Sequence, residues 1–193
     1  GDRHRRGSSE RVYVAGHRGV VGSAVVEQLR RDGFTRLITR SSEELDLRDQ
    51  AATTAFFERE RPDFVVLAAA RVGGILANDR HRGDFIYDNL AIQTHVIRAA
   101  MEVGVDRLIF LGSTCAYPKH ADQPMSEGSL LSGPLEPTNR PYAVAKIAGI
   151  EMCRAFADQF DCDFWSLMPS NIYGPEDTFD LADSHVEIGR AHV

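Results

Sequence analysis

Short apolar segments alternate with longer segments of helical periodicity along this chain, and this alternation limits the possible folds more than any other feature. The predicted strands are residues 11–16, 36–40, 63–70, 107–112 and 163–168. Helical patterns fill residues 17–33, 49–61, 84–103 and 141–160. Strands that alternate with helices form right-handed β-α-β units and a parallel sheet. The third segment, DFVVLAAA, is apolar on both faces, as a sheet covered by helices on both sides requires.

The sequence therefore predicts an α/β fold with a doubly wound parallel sheet, the NAD(P)-binding Rossmann architecture, over residues 11–186. In such sheets ligands bind beyond the carboxyl ends of the strands. We expect residues 1–10, GDRHRRGSSE, to be a disordered polar tail; a transit-peptide remnant is the alternative.

The composition excludes several classes of partner. The 193 residues carry a net charge of −6, whereas surfaces that bind nucleic acid or anionic membranes are basic. No apolar run is long enough to span a bilayer. The three cysteines, Cys115, Cys153 and Cys162, form no CxxC pair, so we predict free thiols in the cytoplasm and no metal site.

A glycine-rich segment, GHRGVVG, joins the first predicted strand to the first helix. Gly16, Gly19 and Gly22 suit a tight turn, a close approach to a pyrophosphate and close helix–strand packing. The helix that begins at Val20 and Val21 would direct its N-terminus at the phosphates. An ordinary tight turn is the alternative, but the position favours dinucleotide binding.

The second predicted strand ends in Arg40 without the acidic residue that NAD sites usually carry there, and Arg18 lies in the glycine segment. Two arginines favour a 2′-phosphate, and therefore NADPH, although Arg40 as a solvated surface residue is the alternative. We place the adenine edge at Asp46 and Leu47. The remaining predicted cofactor contacts on this side are Ala69 and Ala70.

Tyr142 and Lys146 are four residues apart, on one face of a predicted helix. Lysine there can lower the tyrosine pKa and bind the nicotinamide ribose, and the tyrosine can then protonate a carbonyl oxygen. Ser113, at the end of the fourth strand, can polarise the same oxygen. A surface Tyr/Lys pair is the alternative. Cys115 is two residues from Ser113 and faces the same side in an extended segment.

These motifs resemble the extended short-chain dehydrogenase/reductase family, whose members act on nucleotide sugars. The segments AGHRGVVGSA, FLGSTCAYPK and PLEPTNRPYAVAKIAGI are similar in particular to its GDP-4-keto-6-deoxy-D-mannose epimerase/reductases. The similarity runs nearly unbroken over residues 11–186. It implies an NADPH-dependent enzyme that epimerises the keto sugar at C3 and C5 and then reduces its C4 ketone.

The resemblance also implies roles for single residues. Cys115 would be the base for the carbon protons and His185 the acid on the opposite side, whereas inert packing and a solvated loop are the respective alternatives. Ser113, Tyr142 and Lys146 would form the reductase triad. The cofactor would be lined by three residues of the segment PSNIYGP, which are Pro169, Asn171 and Ile172, and by His185.

The resemblance further implies a homodimer built from the helix at residues 84–103 and the Tyr/Lys helix. Phe85, Ile86, Ile92 and Val96 fit that interface, but core packing explains them equally well. The resemblance ends at residue 186, so we expect a small substrate domain to be missing and interpret EIGRAHV, residues 187–193, as a non-native tail. Two other functions stay open: another nucleotide-sugar epimerase or dehydratase, and a non-catalytic NADP-binding protein.

Overall fold

The computed structural model describes residues 9–170 and 172, apart from the side chains of residues 75 and 76. Its strands are β1 (Arg11–Ala15), β2 (Arg36–Ile38), β3 (Phe64–Leu67), β4 (Arg107–Leu111) and β5 (Asp163–Leu167). They form one parallel sheet in the order β2-β1-β3-β4-β5. The five predicted strands are therefore confirmed, each shorter than the apolar run that predicted it.

The helices are α1 (Val20–Arg31), α2 (Gln50–Glu60), α3 (Ile75–Arg80), α4 (Arg82–Glu102) and α5 (Arg140–Phe160). Gly33 and Gly104 follow α1 and α4 with φ of +85° and +72°, a conformation that ends helices. Pro141 lies in the first turn of α5, as predicted. The helix predicted at residues 84–103 begins earlier in the structure, since α4 starts at Arg82, directly after the short helix α3.

Helices cover both faces of the sheet, which confirms the doubly wound architecture. The larger core lies on the face of α2, α4 and α5 and includes Phe57, Leu67 and Phe110. A smaller core, built from Val12, Val14, Val26 and Val66, lies beneath α1. Phe85 and Val96 are 2% and 0% exposed within the chain. Their apolar character is therefore already explained by the core, whereas Ile86 and Ile92 are half-buried.

The strand order creates a switch point between β1 and β3, because the chain leaves β1 toward β2 and later continues on the other side of β1. Ligands of open α/β sheets bind at such points, beyond the carboxyl ends of the strands. The glycine segment, Ala69, Ser113 and Met168 all follow strands at this edge. The edge therefore collects most of the predicted site residues.

The ends of the chain are described only in part. Ser9 and Glu10, which the sequence assigned to the tail, contact Arg36 and Arg107. The predicted tail at residues 187–193 lies outside the described residues. Where the chain is described, no helix is long and apolar enough to cross a membrane. In that same part, no cluster of three His, Cys, Asp or Glu residues is arranged to hold a metal ion, and the three cysteines are free thiols.

Candidate active site at the carboxyl ends of the strands

The glycine segment is packed against the end of β3. Gly16 has φ +83°, and a Cβ there would lie 2.6 Å from the backbone nitrogen of Ala69. A Cβ on Gly22 would lie 2.1 Å from the carbonyl oxygen of Gly16. Distances this short exclude any side chain, so these two glycines are required by the turn and by the approach of α1 to β1.

Gly19 is different, because the protein itself leaves room for a side chain. The nearest atom to a Cβ there is the Gly16 carbonyl oxygen, at an ordinary 3.5 Å. Gly19 is the N-cap of α1 and provides no side-chain cap, and the first turn carries no acidic residue. The amides of the half-buried Val20 and Val21 are therefore available at the positive end of a 12-residue helix. This open cradle fits a dinucleotide pyrophosphate.

The end of β2 brings the two predicted phosphate-binding arginines toward one carboxylate. Ser41 donates its backbone N–H to Glu44 Oε2 at 2.7 Å, and this bond lowers the pKa of Glu44, with further contributions from Arg40 and Arg18. Arg18 is exposed. Arg40 instead pairs with Glu60 at 2.9 Å, so its guanidinium is already engaged in this structure.

The predicted adenine contacts are tied into the protein. Arg48 binds both carboxylate oxygens of Asp46 and lowers its pKa. Arg48 also reaches Asp88, which lies 2.7 Å from Arg71 beyond β3. The side chain of Leu47 is 8% exposed and belongs to the larger core, which leaves little of it for an adenine ring. This ion-pair network therefore connects the loops that follow β2 and β3.

Ser113 and Tyr142 meet at the end of β4. A hydrogen bond from Ser113 favours the ionised tyrosine, but burial and the neighbouring Cys115 outweigh it and raise the pKa of Tyr142 to about 12. Burial and Cys115 decide this pKa in the structure, so a lowering of the tyrosine pKa by Lys146 stays a prediction. Tyr142 remains protonated at neutral pH and is a proton donor rather than a ready anion.

Lys146 lies beneath this pair. Its ammonium group is 5.7 Å from the centroid of the Tyr142 ring and donates to the carbonyl oxygen of Leu111 at 2.7 Å. The side chain is 3% exposed, and burial lowers its pKa to about 8. A cation held here acts on the tyrosine through the ring face and is close to the carboxyl end of β4.

Cys115 lies in the first turn after Ser113, in a short 3₁₀ helix, Thr114–Ala116. Its backbone N–H donates to Ser113 Oγ at 3.3 Å. Its sulfur accepts a hydrogen bond from Asn139 Nδ2 at 3.2 Å. Cys115 acts electrostatically on Tyr142, so the predicted base and the predicted proton donor belong to one cluster.

The structure thus groups Ser113, Cys115, Tyr142 and Lys146, with the glycine segment two strands away. Pro169 is half-buried two residues after the end of β5, and the sulfur of the preceding Met168 fills the space beside Gly112. Ile172 is 37% exposed. Asn171 and His185 lie outside the described residues.

Asn139 and Glu44 were missed by the sequence analysis. An Asn before Arg-Pro at a helix start indicates a capping residue, and the pattern gave no reason to direct its amide at a cysteine 24 residues away. Glu44 lies three residues after Ser41, the spacing of a reciprocal side-chain–backbone pair, and that signal could have located it.

Comparisons with known proteins show which family the chain is part of. A family model described as the NAD dependent epimerase/dehydratase family matches residues 12–189. The GDP-L-fucose synthase of Escherichia coli (strain K12) is 52% identical over 179 residues, which cover 93% of this chain and 56% of that relative. The probable GDP-L-fucose synthase 1 of Oryza sativa subsp. japonica is 57% identical over 177 residues, covering 91% of this chain and 54% of the relative. The chain spans about half the length of the curated relatives it matches.

Solved structures share the fold. A GDP-L-fucose synthetase from Naegleria fowleri bound to NADP matches with a TM-score of 0.84 and 30% identity, over 93% of this chain and 59% of that one. A GDP-D-glycero-L-gluco-heptose synthase from Campylobacter jejuni, crystallised in the presence of NADPH, gives a TM-score of 0.89 at 40% identity, over 93% and 52% of the two chains. By its sequence and its sheet, this chain belongs to the NAD dependent epimerase/dehydratase family.

Proposed function

We propose that this chain is the dinucleotide-binding part of an NADPH-dependent enzyme that converts GDP-4-keto-6-deoxy-D-mannose to GDP-L-fucose. The reaction combines epimerisation at C3 and C5 with reduction at C4. One observation carries the proposal: Cys115, Ser113 and Tyr142 form a single cluster at the end of β4, above the buried Lys146. A base for carbon protons and a donor for a ketone oxygen are thus available to one sugar.

The reductive half uses Ser113, Tyr142 and Lys146. Ser113 polarises the C4 carbonyl oxygen, and Tyr142, protonated at neutral pH, donates the proton that this oxygen gains. Lys146, at the tyrosine ring, stabilises the phenolate left after the transfer. NADPH supplies the hydride when it is bound.

The epimerising half uses the acidity of protons next to a ketone. Cys115 takes such a proton as a thiolate, and a proton returned to the opposite face of the carbon inverts it. We assign the second role to His185, on the family resemblance. The neighbouring Ser113 hydroxyl serves both halves, because polarising the carbonyl also stabilises the enolate that proton removal creates.

We further propose which residues bind NADPH. Gly16, Gly19 and Gly22 with Val20 and Val21 take the pyrophosphate, and Arg18 and Arg40 take the 2′-phosphate. Arg40 must then share its guanidinium with Glu60 or leave it. The remaining contacts are assigned to Asp46, Leu47, Ala69, Ala70, Pro169, Asn171, Ile172 and His185.

We infer a homodimer formed by α4 and α5, in the cytoplasm. Tyr87 on α4 and Val144 on α5 support the interface, because they are apolar side chains that are 67% and 37% exposed. The free thiols support a reducing compartment. Sedimentation of the wild type beside Tyr87→Glu tests the interface, since a charge introduced there should leave monomers.

The test of the activity needs the chain at the length of its relatives, so the coding sequence is first read beyond Val193. The longer protein is incubated with GDP-4-keto-6-deoxy-D-mannose in D₂O, with and without NADPH. We expect deuterium at C3 and C5 without NADPH and GDP-L-fucose with it. Cys115→Ser should abolish deuterium incorporation while NADPH affinity stays within about twofold of the wild type.

The alternatives give different results in the same assay. A 4-ketoreductase without epimerase activity would consume NADPH without exchanging carbon protons. A non-catalytic NADP-binding protein would bind NADPH and leave the sugar unchanged. Either result, or deuterium incorporation that survives Cys115→Ser, contradicts the proposed function.

A further inference from the structure

The side chain of Asn139 is turned away from the role that its position would ordinarily give it. Asn139 is the N-cap of α5, where an Asn side chain usually accepts a backbone N–H from the first turn and stabilises the helix. Here it makes no such bond. Only its backbone carbonyl oxygen joins the helix, accepting from Ala143 N at 3.0 Å.

The amide is directed at Cys115 instead. Asn139 Nδ2 lies 3.2 Å from the sulfur, across the long loop between β4 and α5. The other amide atom, Oδ1, is buried and has no hydrogen-bond partner among the described residues. A buried unpaired acceptor destabilises the folded protein. The helix start thus forgoes a cap and buries an unpaired oxygen, while the amide nitrogen of the same side chain bonds to the sulfur of Cys115.

An N–H directed at sulfur stabilises negative charge there and fixes the direction of the sulfur lone pairs. Asn139 and Tyr142 are three residues apart and therefore neighbours on α5. Tyr142 also faces Cys115, but it is neutral and cannot supply a positive partner. The charged residues of the adjoining loop, Lys119 and Glu136, pair with each other at 2.7 Å. The amide is therefore the donor that the described structure offers to the sulfur.

We propose that Asn139 is a positioning residue for Cys115: its amide N–H orients the sulfur and stabilises the thiolate form that removes carbon protons. The proposal rests on the proposed function for its catalytic meaning, but the hydrogen bond can be tested without any sugar. The first turn of α5 then supports both halves of the reaction, with Asn139 behind the base and Tyr142 as the proton donor.

The test is the rate at which iodoacetamide alkylates Cys115 in this chain, measured between pH 6 and pH 10 by mass spectrometry of the cysteine peptides. Asn139→Ser keeps a good capping residue and removes the amide. Asn139→Asp keeps the shape and replaces the donor with a carboxylate. We expect Asn139→Ser to slow alkylation at pH 7 about threefold or more and to move the profile to higher pH. Asn139→Asp should do both more strongly.

The alkylation rate of Cys162, measured in the same digests, shows whether a substitution changes the accessibility of thiols throughout the fold. A Cys115 profile that coincides with the wild type in Asn139→Ser overturns the proposal. So does an equal change at Cys162, because that indicates a loosened fold rather than a broken hydrogen bond. Thermal unfolding of Asn139→Ser should stay at or above that of the wild type, since serine can restore the cap.

The same variants in the longer protein separate this proposal from the proposed function. Asn139→Ser should lower deuterium incorporation about tenfold and leave NADPH affinity within about twofold. If Cys115→Ser abolishes incorporation but Asn139→Ser does not change it, the function stands and the role of Asn139 fails. If alkylation depends on Asn139 but incorporation survives Cys115→Ser, the hydrogen bond stands and the function fails.

Discussion

The ammonium group of Lys146 donates to the backbone carbonyl oxygen of Leu111 at 2.7 Å and thereby ties α5 to the last residue of β4. The ring of Phe110 lies against the same ammonium group, 4.8 Å away. Burial disfavours the charged form, so the pKa of Lys146 falls to about 8. The residue that supports Tyr142 is therefore held in place at a cost in stability that depends on pH.

That cost predicts how stability changes in alkaline solution. Between pH 8 and pH 10 the unfolded chain still carries a protonated Lys146, because the pKa of an exposed lysine is 10.5, whereas the folded chain has lost the proton. The unfolded state binds more protons, so the free energy of unfolding should rise with pH by about 2 kcal/mol relative to Lys146→Met. Urea unfolding of both proteins from pH 7 to pH 10 measures this. Parallel curves would contradict the buried ammonium.

Gly149 permits the close packing of α5 on the sheet. A Cβ there would lie 2.4 Å from Cζ of Phe110 and 3.1 Å from the side chain of Gln93, and Phe110 is 1% exposed and cannot move away. Gly149→Ala should therefore lower the free energy of unfolding by about 1–3 kcal/mol, despite the better helix propensity of alanine. Gly83→Ala on α4 is the matched control, because no atom lies within 4 Å of its Cβ. Equal stability of the two variants would disprove the clash.

The glycine segment predicts a separation of folding from cofactor binding. Gly19→Ala meets no close neighbour in the protein, so it should lose only the about 1 kcal/mol by which alanine is a poorer N-cap than glycine, and it should bind NADPH about tenfold or more weakly. Gly22→Ala pushes a methyl group onto the Gly16 carbonyl oxygen and should lose stability as well. Calorimetric titration with NADPH and thermal unfolding distinguish the two. Unchanged affinity in Gly19→Ala would remove this glycine from the cofactor site.

The fold could be predicted from the sequence because apolar periodicity follows burial directly. The strands and the four long helices come from that pattern, whereas α3 was missed because six residues after Gly73 and Gly74 show no clear period. Phe85 and Val96 show the limit of the same signal: an apolar helix position does not tell whether its neighbour is the chain itself or a second copy.

The site was less predictable, because its chemistry depends on distances between residues far apart in the chain. The Tyr142–Lys146 spacing correctly places the two side chains together, but the pKa of Tyr142 is decided by burial and by Cys115 rather than by the lysine. The pairing of Arg40 with Glu60 joins residues that are 20 positions apart in the chain. Residue propensities and sequence spacing give neither the burial of Tyr142 nor the position of Glu60 relative to Arg40.

Glu44 should weaken the binding of the 2′-phosphate. Its carboxylate accepts the Ser41 backbone N–H and interacts favourably with Arg18 and Arg40. It therefore competes with a phosphate for the positive charge of these two arginines. Glu44→Gln keeps an oxygen acceptor and removes the charge, and it should tighten NADPH about threefold at low salt without changing NADH affinity. The improvement should shrink at high salt, because screening weakens interactions between exposed charges.

The neighbouring Glu43→Gln supplies the control for this prediction, since it changes the net charge equally at a side chain that is exposed and has no hydrogen bond to Ser41 in the described structure. Fluorescence titration with NADPH and NADH at two salt concentrations gives all four affinities for each variant. Tighter binding confined to Glu44→Gln and to NADPH would locate the 2′-phosphate between the two arginines. Equal improvements in both variants would mean that only the overall charge of −6 matters, and an unchanged ratio of NADPH to NADH affinity would move the phosphate away from Arg18 and Arg40.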